Sequence, residues 1–154
     1  MALDELEIFI DDWNMAIAEG GEAWPEMPPV EEQLAAAAAK VSFEWMPGKE
    51  LMVQRWNAPD PGPDGLAVIG PDPEGDGYLQ HYFDQRGVAR VYMMSFDSGT
   101  WKLWRDEPDF SPLDFKQRYE GKFSDDASRL EGTWEINEDG DWRKDFSAVW
   151  ERAS

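Results

Sequence analysis

The chain has 154 residues, enough for one domain around one core, and 42 % of them are hydrophobic. Thirty-three acidic residues against 14 basic ones give a net charge of −19, which repels nucleic acid and anionic membrane surfaces and argues against both as partners. There is no cysteine, so disulfides, thiolate nucleophiles and cysteine zinc sites are excluded.

The opening residues, MALDE, lack the basic and apolar regions of a secretory leader, and no run approaches the ~20 apolar residues of a membrane span. A cytoplasmic protein is the expectation. Residues 3–10 space Leu3, Leu6 and Ile10 as a short helical turn or a lead-in to a strand. Trp13, Met15 and Ile17 then alternate with Asn14, Ala16 and Ala18, the period of a half-buried strand, and Gly20-Gly21 stops it. Residues 22–40 read as a proline-punctuated loop followed by a helix over 30–40. Glu31 and Glu32 lie near its positive end, and its five alanines offer high propensity but little apolar surface.

From Val41 onward the pattern is almost all strand. Val41, Phe43 and Trp45 alternate with polar neighbours, and Pro47-Gly48 turns the chain into LMVQRWN. LAVIG (66–70), residues 78–84, residues 88–96 and TWKLWRD (100–106) follow, separated by Gly- and Asp-rich turns. Over 115–123, Phe115, Gln117, Tyr119, Gly121 and Phe123 oppose Lys116, Arg118, Glu120 and Lys122, so the first set faces inward. Leu130, Gly132, Trp134 and Ile136 alternate likewise, and the last strand places Trp142, Phe146, Ala148 and Trp150 on one face. Nine or ten strands, each wet on one side, predict a closed antiparallel up-and-down barrel, with the short helix between the first two strands.

Several stretches carry a resemblance: FEWMPGKELMVQRW (43–56), LAVIGPDPEG (66–75), HYFDQRGVARVY (81–92), LWRDEPDFSPLDFKQRYEGKFSDD (103–126) and LEGTWEINEDGDW (130–142). They resemble an uncharacterised bacterial family, of actinobacterial type, in the calycin superfamily of lipocalins, fatty-acid-binding proteins and haem-binding nitrobindin-like barrels. The resemblance covers residues 41–152 and implies a single lipocalin-like domain over 1–154. By that resemblance Trp13 plugs the barrel base, although Asp11 stands where calycins often have Gly, and the helix at 30–40 could cap the open end as a lid. The first 40 residues depart from the family, and their idealised Ala and Glu runs are features of redesigned sequences, so an engineered variant is one reading of them.

Candidate site residues follow from the inward faces. His81, the only histidine, could contact a ligand, serve as a base, ligate haem, or simply hydrogen-bond in the core. If Arg86-Gly87 is a two-residue turn, Phe83 faces Arg90 and His81 faces Tyr92. If the turn has three residues with Gly87 left-handed, Tyr82 faces Arg90 instead. An inward Arg90 needs a carboxylate, from Glu44, Asp84, Asp114 or a ligand. Gln117 and Tyr119 put two polar groups on an apolar wall, the composition of a small-molecule pocket. Trp45, Trp101, Trp134 and Trp150 line or fill the interior, while the sides taken by Trp56 and Trp104 stay open.

The acidic turns GPDPEGDG and NEDGD lack calcium-loop spacing, and phosphate-loop, hydrolase-elbow and zincin motifs are absent, so no metal is expected. The expectation is a cavity of a few hundred Å³ holding a small apolar or aromatic molecule, oriented by a subset of His81, Arg90, Tyr92, Gln117 and Tyr119. No cofactor is expected; haem through His81 is an alternative. So is an enzyme with a buried base, either His81 or a carboxylate such as Glu44. The chain is expected as a monomer or a homodimer.

Overall fold

A computed structural model describes residues 2–21, 24–58, 62–105, 115–138 and 140–153. Ten antiparallel strands close into one barrel: β1 (Asp11–Gly20), β2 (Ala39–Trp45), β3 (Met52–Asn57), β4 (Gly65–Pro71), β5 (Tyr78–Asp84), β6 (Ala89–Asp97), β7 (Thr100–Arg105), β8 (Lys116–Phe123), β9 (Arg129–Asn137) and β10 (Trp142–Arg152). Each strand pairs with its sequence neighbours, and β1 completes the ring against β10. This is the up-and-down barrel the alternation predicts, consistent with a calycin-like fold. Closure leaves no strand edge unpaired around the ring.

One end is plugged. The 3-10 helix Ala2–Phe9 buries Leu3, Leu6 and Phe9 in the barrel base, where the Phe9 ring meets those of Phe43, Phe96, Trp101 and Phe123 at centroid distances of 5.0–5.2 Å. Trp13 is buried beside them and its indole donates to Phe9 O at 2.9 Å. The Arg152 guanidinium lies 4.3 Å from the Trp13 ring centroid and donates to Ile8 O at 2.6 Å, tying the last strand to the plug. Asp11 is exposed and accepts from Arg152 at 3.1 Å, so its carboxylate adds a second tie between the first and last strands.

The helix between β1 and β2 is shorter than the alanine run suggests. α1 spans Val30–Ala36 and ends where Ala37 turns left-handed (φ 49°), leaving Ala39 and Lys40 to begin β2. Leu34 packs on Ala16 and Val149, which point outward from β1 and β10. The helix therefore straps the outer wall and does not cap an open end. Its attachment is polar as well: the buried Gln33 amide accepts from Ile17 N and donates to Ile17 O, both at 2.9 Å. β2 pairs with β1 only as far as Met15, so Gln33 satisfies backbone groups that would otherwise lack a strand partner.

Two local irregularities set which side chains point in. Gly87 adopts φ +81° in a three-residue turn closed by Asp84 N donating to Val88 O at 3.1 Å, so Tyr82 pairs with Arg90 and His81 with Val91. In β10 the pairing with β9 skips a residue between Lys144 and Phe146. That bulge at Asp145 reverses the alternation, so Trp142 lies on the outer wall under the Arg118 guanidinium, 4.0 Å from its ring centroid, instead of sharing the face of Phe146, Ala148 and Trp150. Among the described residues no helix is long and apolar enough to cross a membrane.

Candidate functional site: a cavity in the open half of the barrel

The half of the barrel away from the 3-10 helix encloses a cavity of about 400 Å³. Its floor is aromatic: Trp101 and Tyr119 meet at a centroid distance of 4.9 Å, and Trp101 and Trp150 at 5.6 Å. Trp134 forms part of the wall, with Tyr92 at 5.4 Å and Tyr119 at 5.1 Å. Trp24, Trp56, Pro63 and Arg86 stand near the mouth.

Tyr119 owes its place to two glycines. Gly121 on β8 and Gly132 on β9 are paired directly, and the Tyr119 ring lies across both; a Cβ on Gly132 would stand 2.1 Å from Tyr119 Oη. Among the described residues the Tyr119 hydroxyl has no hydrogen-bond partner, and burial pushes its pKa above the ordinary tyrosine range. A buried hydroxyl without a partner is a group a ligand can satisfy.

A polar chain crosses the interior from β6 to β8. Arg90 Nη1 lies 3.4 Å from Tyr92 Oη, Tyr92 donates to Gln117 Oε1 at 2.8 Å, and Arg105 Nη2 donates to the same oxygen at 3.1 Å. Arg90 is 5 % exposed, its Nε has no hydrogen-bond partner, and no carboxylate among the described residues forms an ion pair with it. Its guanidinium sits 5.4 Å from the Tyr82 ring centroid, a modest cation–π contact. Of the partners the sequence suggests, Glu44 pairs with Arg55 on the outer wall, and Asp84 is held by Arg86 at 2.7 Å and by the Tyr82 hydroxyl at 2.7 Å. Asp114 lies outside the described residues.

Asp145, carried inward by the β10 bulge, also lines the cavity, and burial raises its pKa above the ordinary aspartate value. Two more polar groups are internally satisfied: Gln80 on β5 donates to Gln54 on β3 at 3.0 Å across β4. Inward pointing Gln54, Gln80, Tyr82 and Asp145 are not evident from apolar periodicity, because they occupy positions that the hydrophobic-inside rule assigns outward or leaves open. The signal that does mark Gln54, Gln80 and Tyr82 is alternation itself: Tyr78, Gln80 and Tyr82 share a parity, as do Gln54 and Trp56, whereas the bulge at Asp145 breaks it.

Of the sequence-derived site residues, Arg90, Tyr92, Gln117, Tyr119 and Trp134 converge on the cavity, and Trp101, Trp150 and Trp56 join them. Two do not. His81 is exposed on the outer wall between Val68 and Val91, because the inward parity of β5 belongs to Gln80 and Tyr82. From there its imidazole reaches neither a haem nor a substrate inside the barrel. Trp45 stands beside the 3-10 helix, donates its indole N–H to Glu7, and is away from the cavity. Glu44, named as a buried base, is exposed. Among the described residues no cluster of three or more His, Asp or Glu gathers as a metal site. In comparisons with known proteins, no family model and no curated protein matches this chain.

Proposed function

We propose that the protein binds one small apolar or aromatic molecule inside the barrel. The cavity carries this reading: about 400 Å³ falls in the range of small-molecule sites, roughly 300–1,000 Å³, and its walls are mostly apolar, rich in aromatic rings, with a few convergent polar groups. Trp101, Trp134 and Trp150 supply flat apolar surface, while Arg90, Tyr92, Gln117 and Tyr119 fix orientation. The motif resemblance supports an origin in the bacterial calycin-like family.

The experiment is a fluorescence titration with N-phenyl-1-naphthylamine, a neutral apolar probe. Saturable enhancement with one site per chain is expected. Ala148, buried on β10 in the cavity wall, supplies the control: Ala148→Phe fills the space and is expected to abolish binding while circular dichroism stays that of the parent. Absence of saturable binding, or binding unchanged in Ala148→Phe, contradicts the proposal.

A second reading has one observation behind it. The Asp145 carboxyl is a half-buried acid in the cavity with a raised pKa, the environment that tunes a carboxylate toward general-base work. It predicts turnover of a bound probe bearing an acidic C–H that is lost in Asp145→Asn while binding persists; unchanged turnover in that variant removes it.

A further inference from the structure

Of the six large hydrophobic side chains exposed among the described residues, four lie on the outer wall of β4, β5 and β6. Cross-strand pairing arranges its outward side chains in three rows. The row nearest the mouth is Leu66, Phe83 and Ala89, and the middle row is Val68, His81 and Val91. The third is Gly70, Leu79 and Met93, with the Leu51 side chain lying over Gly70. Phe83 is 45 % exposed, Val91 41 %, and Leu66 and Met93 38 % each. Eight of the nine positions are apolar and none is acidic, in a chain with 33 Asp and Glu. The contrast with β8 is direct: its outward residues Lys116, Arg118, Glu120 and Lys122 are all charged.

We infer that this face is the contact surface of a reversible homodimer. A monomer exposing so continuous an apolar patch has an unmet driving force for association. The charge pattern selects the occupant. A basic partner is drawn to the acidic faces and finds no carboxylate here, whereas a second copy carries an uncharged face of the same size and keeps its acids away from the contact. Strand addition is closed to any partner, because the barrel has no free edge.

Geometry favours self-pairing as well. A twofold axis across the middle row sets Met93 of one copy over Ala89 of the other and Phe83 over Leu79, large against smaller, with the two His81 side chains near the axis. The two cavity mouths then point in opposite directions and stay open. Three strands and three rows with their flanks cover on the order of 500 Å² per copy, short of the ~800 Å² of a standard stable interface. The dimer is therefore of the weak, reversible kind.

Sedimentation velocity tests this on the whole chain from micromolar to near-millimolar concentration. The parent is expected to shift from monomer toward dimer, and more strongly at high salt, which screens repulsion between two chains of −19. Phe83→Glu, a change at an exposed site, is expected to hold the chain monomeric throughout. A parent that stays monomeric at the highest concentration in high salt overturns the inference, as does a Phe83→Glu chain that still dimerises. The native chain lacks cysteine, so His81→Cys offers a second readout. A short bis-maleimide is expected to link two His81→Cys chains and not two Glu120→Cys chains; equal linking of both, or of neither, contradicts a contact centred on the middle row.

Discussion

Tyr92 donates to Gln117 Oε1 at 2.8 Å, a hydrogen bond that runs from β6 to β8 past the inner face of β7. The same oxygen accepts from Arg105 at 3.1 Å, so one amide carbonyl serves a neutral and a charged donor. Gln117→Leu leaves both donors without that acceptor, and a loss of about 2–3 kcal/mol in urea unfolding is expected; Tyr92→Phe removes one neutral donor and costs about 1 kcal/mol. The reverse ranking of the two variants contradicts the network.

Arg90 sets function against stability. Among the described residues no carboxylate forms an ion pair with this buried guanidinium, and its Tyr82 and Tyr92 contacts and the more distant Asp145 charge offset its desolvation only in part. Arg90→Met is therefore expected to stabilise the ligand-free protein by about 1–2 kcal/mol, read from the thermal midpoint. It is also expected to lower the affinity for 2-naphthoate relative to 2-naphthamide, two probes of one shape that differ in charge. A destabilised Arg90→Met chain with an unaltered preference contradicts this role.

Gln33 acts as a detached piece of sheet. Its amide contacts Ile17 N and O at 2.9 Å and Pro28 O at 2.7 Å. Gln33→Ala exposes these groups or leaves them buried without partners, and is expected to cost about 2 kcal/mol. Leu34→Ala tests the other half of the attachment through its contact with Ala16 and Val149. Hydrogen exchange at the Ile17 amide is expected to accelerate in Gln33→Ala and to change less in Leu34→Ala; equal protection in parent and Gln33→Ala removes the bracing role.

Asp145 and Asp84 should titrate in opposite senses. Burial raises the folded pKa of Asp145 above its ordinary 3.8, so its contribution is most favourable below that value and declines as pH rises through the folded pKa. For Asp84 burial opposes ionisation, but hydrogen bonds from Arg86 and Tyr82 outweigh it and hold the folded pKa below 3.8. Its stabilisation is present above 3.8 and is lost as pH falls through the folded value. Unfolding curves against pH are expected to show Asp145→Asn gaining stability only toward neutral pH and Asp84→Asn losing it there, with both differences shrinking in acid. The same sign for both variants contradicts these environments.

The parts of the site legible in the sequence lie where hydrophobic alternation and burial agree. Over 115–123 the charged parity is outside, and Gln117 and Tyr119 are inside as expected. On β5 that logic inverts: Leu79 and Phe83 face out, while Gln80 and Tyr82 face in. The interior is partly polar and the outer wall there is apolar, so a rule that places apolar groups inside sends His81 the wrong way. The Gly87 turn decides the register of β5 and β6, and the sequence admits both two- and three-residue forms. The Asp145 bulge is equally silent in the pattern, which is why Trp142 reads as inward and is not. α1 falls short of its alanine run because tertiary pairing recruits Ala39 and Lys40 into β2, overriding propensity.

The most direct test of ligand binding inside the barrel uses the nine tryptophans as a map. Trp24, Trp56, Trp101, Trp134 and Trp150 line the cavity, whereas Trp13, Trp45, Trp104 and Trp142 lie elsewhere. An indole-region proton–nitrogen correlation spectrum, recorded with and without saturating N-phenyl-1-naphthylamine, reports both groups at once. Shifts are expected in the first five signals and little change in the other four. Shifts confined to Trp104 or Trp142 would move the binding site to the outer wall, and no shifts at all would remove the binding function.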